Sequence, residues 1–117
     1  MFRFEKFDVW HRGVEFADHV YQATRSFPAE ERYGLTSQMR RAAVSVSSNV
    51  AEGSSRSSDK DFGRFVEIAY GSLMEAVSES HVARRQSFLA QAAFESLYAE
   101  AEKLGRMLSG LKSKLVK

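Results

Sequence analysis

Apolar residues recur at helical spacing in four separate segments of this chain. Residues three and four positions apart fall on one face of an α-helix. The pattern predicts helices over residues 8–26, 36–52, 58–86 and 91–116, joined by short polar connectors. No internal repeat or long linker divides the chain. We therefore predict one all-α domain over residues 1–117, an antiparallel up-down four-helix bundle.

The second predicted helix is built mainly from Ala, Ser and Val. Small side chains let a neighbouring backbone come close, so we interpret it as an inner packing helix. Thr36 or Ser37 is predicted to cap its N-terminus. Gly53 is predicted to end it, because glycine accepts the left-handed conformation of a helix C-cap. Its apolar stripe comprises Leu35, Met39, Ala42, Ala43, Val46, Val50 and Gly53.

The third predicted helix begins at Ser57 or Ser58, where a serine can cap the helix ahead of Asp59 and Asp61. Its apolar arc is wider than one neighbouring helix can bury, and the arc of the first helix is also wide. A monomer would leave part of each arc exposed, so the pattern favours self-association. The fourth helix carries an uninterrupted heptad seam from Phe94 to Leu115.

The composition is that of a globular protein with a weakly basic balance, a net charge of +2 and a pI of about 9.0. The chain has no cysteine, which excludes disulfides and thiolate catalysis and suits the cytoplasm. No apolar run is long enough to span a membrane. The basic clusters that could neutralise phosphates are Arg40-Arg41, Arg84-Arg85 and the run Lys103, Arg106, Lys112, Lys114 and Lys117.

Catalytic and metal-binding patterns are weak in this sequence. It contains no Glu-x-x-His pair, no nucleophile elbow and no glycine-rich phosphate loop. His11, Glu15 and His19 share a helix face, which we interpret as a solvated surface. Glu75 and Glu79 lie one turn apart, an arrangement more typical of a surface stripe than of an acid–base pair. We expect no catalytic residue, no metal, no cofactor and no enzymatic activity.

Three polar residues of the second helix, Arg41, Asn49 and Glu52, border a face suited to close packing. One interpretation is a hydrogen-bonded Arg–Glu network that fixes this helix against its neighbours and extends to the Arg56–Arg64 region. The other is a ligand or RNA site. The residues alone leave both open.

Several spaced motifs of the chain resemble a known family. They are Val9-Trp10, Phe27-Pro28 with Glu31-Arg32 and Leu35-Thr36-Ser37-Gln38, Arg41-Ala42, Ser48–Gly53, and Gly71-Ser72-Leu73-x-Glu75. The sequence resembles the bacterial four-helix-bundle proteins named for 23S rRNA intervening sequences, which are related to retroelement accessory variability proteins. One departure is Ala69-Tyr70-Gly71-Ser72, where the family commonly has Ala-Arg-Gly-Ser.

The resemblance implies an up-down bundle, and some related proteins assemble into pentameric rings. We therefore expect a homo-oligomer, with a pentamer as the favoured form. It also implies RNA or DNA as a partner and no enzymatic activity, while the lack of a long apolar run predicts no membrane association. The alternative is a structural or protein-interaction module with no nucleic-acid role. The candidate nucleic-acid or ligand residues are Arg40, Arg41, Asn49, Glu52, Arg56, Arg64 and Glu75.

Overall fold

The computed structural model describes residues 1–116, and those residues form an all-α protein, as predicted. Its four helices are α1 (Asp8–Thr24), α2 (Leu35–Ser54), α3 (Asp59–Arg85) and α4 (Gln91–Leu115). Short 3₁₀ turns precede α1 and α2, at Arg3–Lys6 and Ala29–Glu31. The described part of the chain contains no strand.

The N-termini of α2 and α3 are capped in different ways. The Ser58 hydroxyl accepts a hydrogen bond from the Asp61 amide at 3.1 Å, which confirms the predicted serine cap of α3. The predicted cap of α2 is wrong. Thr36 lies within α2, one residue after its start, and is buried, so it does not cap the helix. The Leu35 amide instead donates a hydrogen bond to the Glu31 carboxylate at 3.1 Å. A carboxylate on the preceding 3₁₀ turn therefore takes the place of a serine or threonine cap.

Each helix packs against two others, so that α1 and α3 both contact α2 and α4. The α2–α3 pair is the most extensive. Glu67 near the start of α3 meets Lys112 near the end of α4, whereas His81 near the end of α3 meets Phe94 near the start of α4. The core lies between the four helices and includes the fully buried side chains of Phe16, Val20, Met39, Val46, Val50, Phe62, Val66, Leu73, Leu104 and Leu108.

Gly53 is a packing residue and does not end α2. The helix continues to Ser54, and no glycine in the described chain has a positive φ, so the predicted left-handed stop is wrong. A Cβ built on Gly53 would lie 2.6 Å from Phe65 Cβ and 2.9 Å from Phe62 Cδ1. Glycine is therefore required because α3 crosses close to α2 at this point.

The other side of α2 is also tightly packed, against α1. A Cβ on Gly13 of α1 would lie 3.2 Å from Ser47 Cβ of α2. Ala43 and Val46 of α2 are fully buried, and Ser47 is nearly so. The small residues of α2 thus allow close approach by two neighbours at once, as the inner-helix interpretation predicts.

Gly53→Ala should destabilise the protein by about 1–3 kcal/mol, because the new methyl group overlaps Phe65 Cβ and the ring of Phe62, which is fixed in the core. Gly110→Ala is the matched control, since a Cβ there meets nothing within 4 Å. It should stabilise α4 by up to about 1 kcal/mol through helix propensity alone. Urea unfolding of both variants measures the difference. Equal stabilities would contradict the close α2–α3 contact.

Candidate functional site

A polar groove of about 780 Å³ lies along α2 where α1 and α3 flank it. It brings together three of the sequence-predicted candidates, Arg40, Arg41 and Glu75, with a fourth charged residue, Glu79. The groove therefore holds two guanidinium groups and two carboxyl groups. Its other lining residues are Tyr21, Gln38, Ala42, Val44, Ser45, Ser48 and Ser72.

The two arginines of the groove differ in how they are held. Arg40 Nε donates to Thr24 Oγ1 at 2.9 Å, and its guanidinium lies 4.5 Å from the centre of the Tyr21 ring. Both contacts join α2 to α1 and hold the Arg40 side chain in place. Arg41 is exposed and forms no ion pair within residues 1–116.

Glu79 carries the one buried side-chain polar atom without a partner in the described residues. Its Oε1 is shielded from solvent and accepts no hydrogen bond. Burial raises the pKa of the Glu79 carboxyl, and the charge of Glu75 one turn away raises it further. The surface-stripe interpretation therefore describes Glu75, which is exposed, but not Glu79, which is partly buried.

A short hydrogen-bond network joins α2 to α3 at the groove. The hydroxyls of Ser45 and Ser72 lie 2.8 Å apart. Asn49 Nδ2 donates to the Ser45 carbonyl at 2.8 Å and to its hydroxyl at 2.9 Å. Asn49 thus orients the serine that contacts α3, which is a structural role.

The predicted network centred on an Arg41–Glu52 pair does not form. Arg41 and Glu52 are eleven residues apart on one helix, about 16 Å along its axis. Glu52 instead pairs with Arg56, one turn away, at 3.0 Å. Both side chains are exposed, so the pair contributes little to stability.

Arg64 also pairs locally, with Asp61 one turn away at 3.6 Å. The Arg56 guanidinium lies 4.6 Å from the centre of the Phe65 ring. Arg56 and Arg64 therefore stand near the α2–α3 turn and outside the groove. The seven predicted residues are distributed along α2, the turn that follows it and α3, a surface that we call the α2–α3 face. They do not converge on one site.

The C-terminal half of α4 has a different charge pattern. Lys103, Arg106 and Lys114 are exposed, and none forms an ion pair within residues 1–116. We call these three residues the α4 basic face. Between residues 103 and 115 the sequence contains no acidic residue. This acid-free interval is visible in the sequence, but the predicted site did not include it.

Two further lysines belong to the same sequence run. Lys112 Nζ donates a hydrogen bond to Glu67 Oε2 of α3 at 2.5 Å, so the Lys112 ammonium is paired with a carboxylate. The hydrogen bond and charge of Lys112 lower the pKa of the Glu67 carboxyl. Lys117 lies outside the described residues.

The histidines of α1 make separate contacts. His11 Nε2 donates to the Glu5 carbonyl at 2.7 Å, and His19 Nδ1 lies 2.6 Å from Glu100 Oε2 of α4. The described residues contain no cluster of three or more His, Cys, Asp or Glu side chains able to hold a metal.

Glu79→Gln should stabilise the protein at pH 7. The folded-state pKa of Glu79 is raised, so stability is lost as the pH rises through that pKa, and a neutral amide avoids this loss. The gain should stay below about 1 kcal/mol, because solvent reaches part of the side chain. It should vanish at about pH 3, where the carboxyl is protonated in both states. Urea unfolding at both pH values measures it.

Glu67→Gln should change the stability of the protein in the opposite direction at pH 7. Its folded-state pKa is lowered, so the carboxylate contributes stability above the unfolded pKa, and the amide should destabilise at pH 7. If Glu79→Gln also destabilised the protein at pH 7, an unpartnered, desolvated carboxyl would be ruled out.

Comparisons with known proteins agree with this architecture. A protein of unknown function from the S23 ribosomal protein family of Bacteroides thetaiotaomicron VPI-5482 has a similar crystal structure, with a TM-score of 0.82 and 19% sequence identity. The match covers 90% of this chain and 95% of that one. None of the curated proteins compared with this chain matches it. No helix in residues 1–116 is long and apolar enough to cross a membrane. Residues 5–110 match the model of the 23S rRNA-intervening sequence protein family, and the chain belongs to that family.

Proposed function

We propose that this chain is a non-enzymatic, self-associating protein that binds RNA or another nucleic acid through the α4 basic face. The observation that carries the proposal is the row of exposed, unpaired cations at Lys103, Arg106 and Lys114. The family is named for 23S rRNA-intervening sequences, which supports RNA as the partner. Residues 1–117 would form one antiparallel up-down bundle.

The opposite order of the helix contacts supports the up-down topology. Along α1 and α2, Gly13 meets Ser47 while Tyr21 meets Arg40. Along α2 and α3, Gly53 meets Phe62 and Phe65, whereas Ser45 meets Ser72. Together with the α3–α4 contacts described above, these pairings fit helices that alternate in direction.

The α4 basic face suits a phosphate backbone better than Arg56 and Arg64 of the α2–α3 face do. Lys103 and Lys114 are eleven residues apart, so the face extends about 16 Å along the helix. The exposed Ser109, Gly110 and Ser113 near these cations have small side chains, which leave room for a nucleic-acid strand. By contrast, Arg56 and Arg64 already have carboxylate partners.

Replacing Lys103, Arg106 and Lys114 together with glutamine should weaken binding to a structured RNA and reduce its salt dependence. Each phosphate contact releases counterions, so losing three contacts should lower the slope of log K against log salt by about 2–3. A salt titration by fluorescence anisotropy measures both effects.

The matched control replaces Arg12, Arg56 and Arg64 with glutamine. It removes the same charge, but each of these arginines pairs with an acid three or four residues away in the sequence. The control should keep most of the affinity and slope. Equal losses in the two triple variants would contradict the α4 basic face. No RNA binding by the unmodified protein at low salt would instead favour the structural or protein-interaction module.

Self-association is supported by apolar side chains that α3 leaves exposed. Ile68 is 52% exposed, Val82 48% and Met74 42%. Ile68 and Val82 lie outside the apolar arc that the sequence pattern predicts for this helix. That arc comprises Phe62, Phe65, Val66, Ala69, Tyr70, Leu73, Met74, Ala76, Val77 and Ala83. On α1, by contrast, the large hydrophobic residue left exposed is Tyr21. The α3 surface is therefore the proposed contact between subunits of a ring, a pentamer in the form that the resemblance implies.

Replacing Ile68 and Val82 with lysine should convert the assembly to monomers while leaving the helical circular-dichroism signal unchanged, because both side chains point away from the core. The control replaces Phe2 and Tyr33 with lysine, since these are also exposed and apolar but lie outside α3. Light scattering gives the subunit number. A monomeric unmodified protein at micromolar concentration would contradict self-association, and dissociation of the control would contradict the α3 surface.

A further inference from the structure

We propose that the α4 basic face binds nucleic acid as a single strand, with one unpaired base held in a pocket between α3 and α4. This inference rests on the proposed function and names the form of nucleic acid that it concerns. The pocket has a volume of about 430 Å³, within the range of small-molecule sites. Its lining includes Tyr70 of α3 and Tyr98, Glu102, Gly105 and Arg106 of α4.

Two tyrosines of the pocket present partly exposed rings. Tyr70 is 39% exposed and Tyr98 is 41% exposed. The ring of Tyr98 is held by Phe94 and His81, whose ring centres lie 5.8 Å and 6.1 Å from its own. A base stacks readily on an aromatic ring of this kind, because every base has a flat π-face. The two tyrosines therefore supply stacking surfaces for a base that enters the pocket.

Gly105 keeps the pocket open in the middle of α4. A Cβ built there would lie 3.6 Å from Leu73 Cδ2 and 3.6 Å from Tyr70 Cε2, which is ordinary contact. Packing therefore does not require a glycine at this position, as it does at Gly53. Glycine inside a helix is also unfavourable relative to alanine. What the glycine provides is space beside the Tyr70 ring, which a longer side chain would fill.

The two charged residues of the pocket match different parts of a nucleotide. Arg106 lines the pocket and also belongs to the α4 basic face, so a base in the pocket brings its phosphate to that face. Glu102 is exposed and forms no ion pair within residues 1–116. Its carboxylate repels phosphate but accepts hydrogen bonds from N–H groups on the edge of a base. Stacking, edge recognition and phosphate binding are thus available side by side.

A double helix does not fit this arrangement. Its bases are paired and stacked on one another, whereas the bases of single-stranded loops and ends can splay out onto aromatic side chains. Charge alone favours the duplex, which carries the denser array of phosphates. A preference for the single strand therefore measures the pocket separately from the cations of the α4 basic face.

The pocket and the proposed subunit contact lie on different sides of α3. Successive residues of a helix turn by about 100°, so Tyr70 points about 160° away from Ile68. The Tyr70 ring instead lies close to Gly105 of α4. Met74 borders both surfaces, which meet at its side chain and do not coincide.

The test compares a short single-stranded RNA with the same strand annealed to its complement, using fluorescence anisotropy and the full chain. The single strand should bind about tenfold more tightly, because only its bases can stack in the pocket. Tyr98→Leu and Gly105→Leu should each weaken the single strand about tenfold, the first by removing a ring and the second by filling the space. Neither variant removes a cation, so the salt slope and the affinity for the duplex should stay unchanged.

Tyr33→Leu is the matched control, since Tyr33 is exposed but lies outside the pocket. It should bind both RNAs as the unmodified protein does. Circular dichroism reports whether each variant keeps its helices. Single strands that contain 5-iodouridine should crosslink on irradiation to Tyr70 or Tyr98 and not to Tyr33.

Equal affinity for the single strand and the duplex would overturn the pocket, as would an equal loss in the Tyr33→Leu control. The α4 basic face would still stand in either case if its triple glutamine variant lost affinity and salt dependence. Absence of binding by both RNAs at low salt would contradict the proposed function and this inference together. The Ile68 and Val82 lysine variant should keep its preference for the single strand. Loss of that preference would assign the pocket to the subunit contact and contradict the proposal.

Discussion

The close approach of α2 to α1 and α3 determines how the core of this protein packs. Gly53 lets α3 cross with no room for a methyl group, and Gly13 faces Ser47 across the α1–α2 contact. At these short separations the Ser45 and Ser72 hydroxyls meet directly. The same packing places Arg41 of α2 and Glu79 of α3 in one groove. The small residues of α2 thus determine both the core and the position of charged side chains on its surface.

The distribution of charge, more than its total, distinguishes the surfaces of the molecule. The net charge is only +2. On the α2–α3 face, Arg56 and Arg64 pair with acids no more than four residues away, and the groove holds equal numbers of basic and acidic groups. On α4, the acid-free interval from 103 to 115 leaves cations without partners. Long-range attraction of a polyanion depends on such unpaired charge.

The sequence predicts what is local in this fold. Helical periodicity identifies all four helices, and a serine followed by two aspartates locates the start of α3, because both signals arise within a few residues. The role of Gly53 could not be predicted, since a C-cap and a close helix contact both favour glycine, and only the position of α3 decides between them. The burial of Glu79 likewise depends on neighbouring helices. The Arg41–Glu52 pairing fails for a simple geometric reason, because three helical turns separate the two residues.

Chemical footprinting of lysines with and without a structured RNA identifies the surface of the protein that the nucleic acid contacts. Lysine acetylation read by mass spectrometry reports on each ammonium group separately. We predict that RNA protects Lys103 and Lys114, whereas Lys60, near the locally paired Arg56 and Arg64, reacts as in the free protein. Protection of Lys60 with full reactivity at Lys103 and Lys114 would contradict binding through the α4 basic face and would place the nucleic acid on the α2–α3 face.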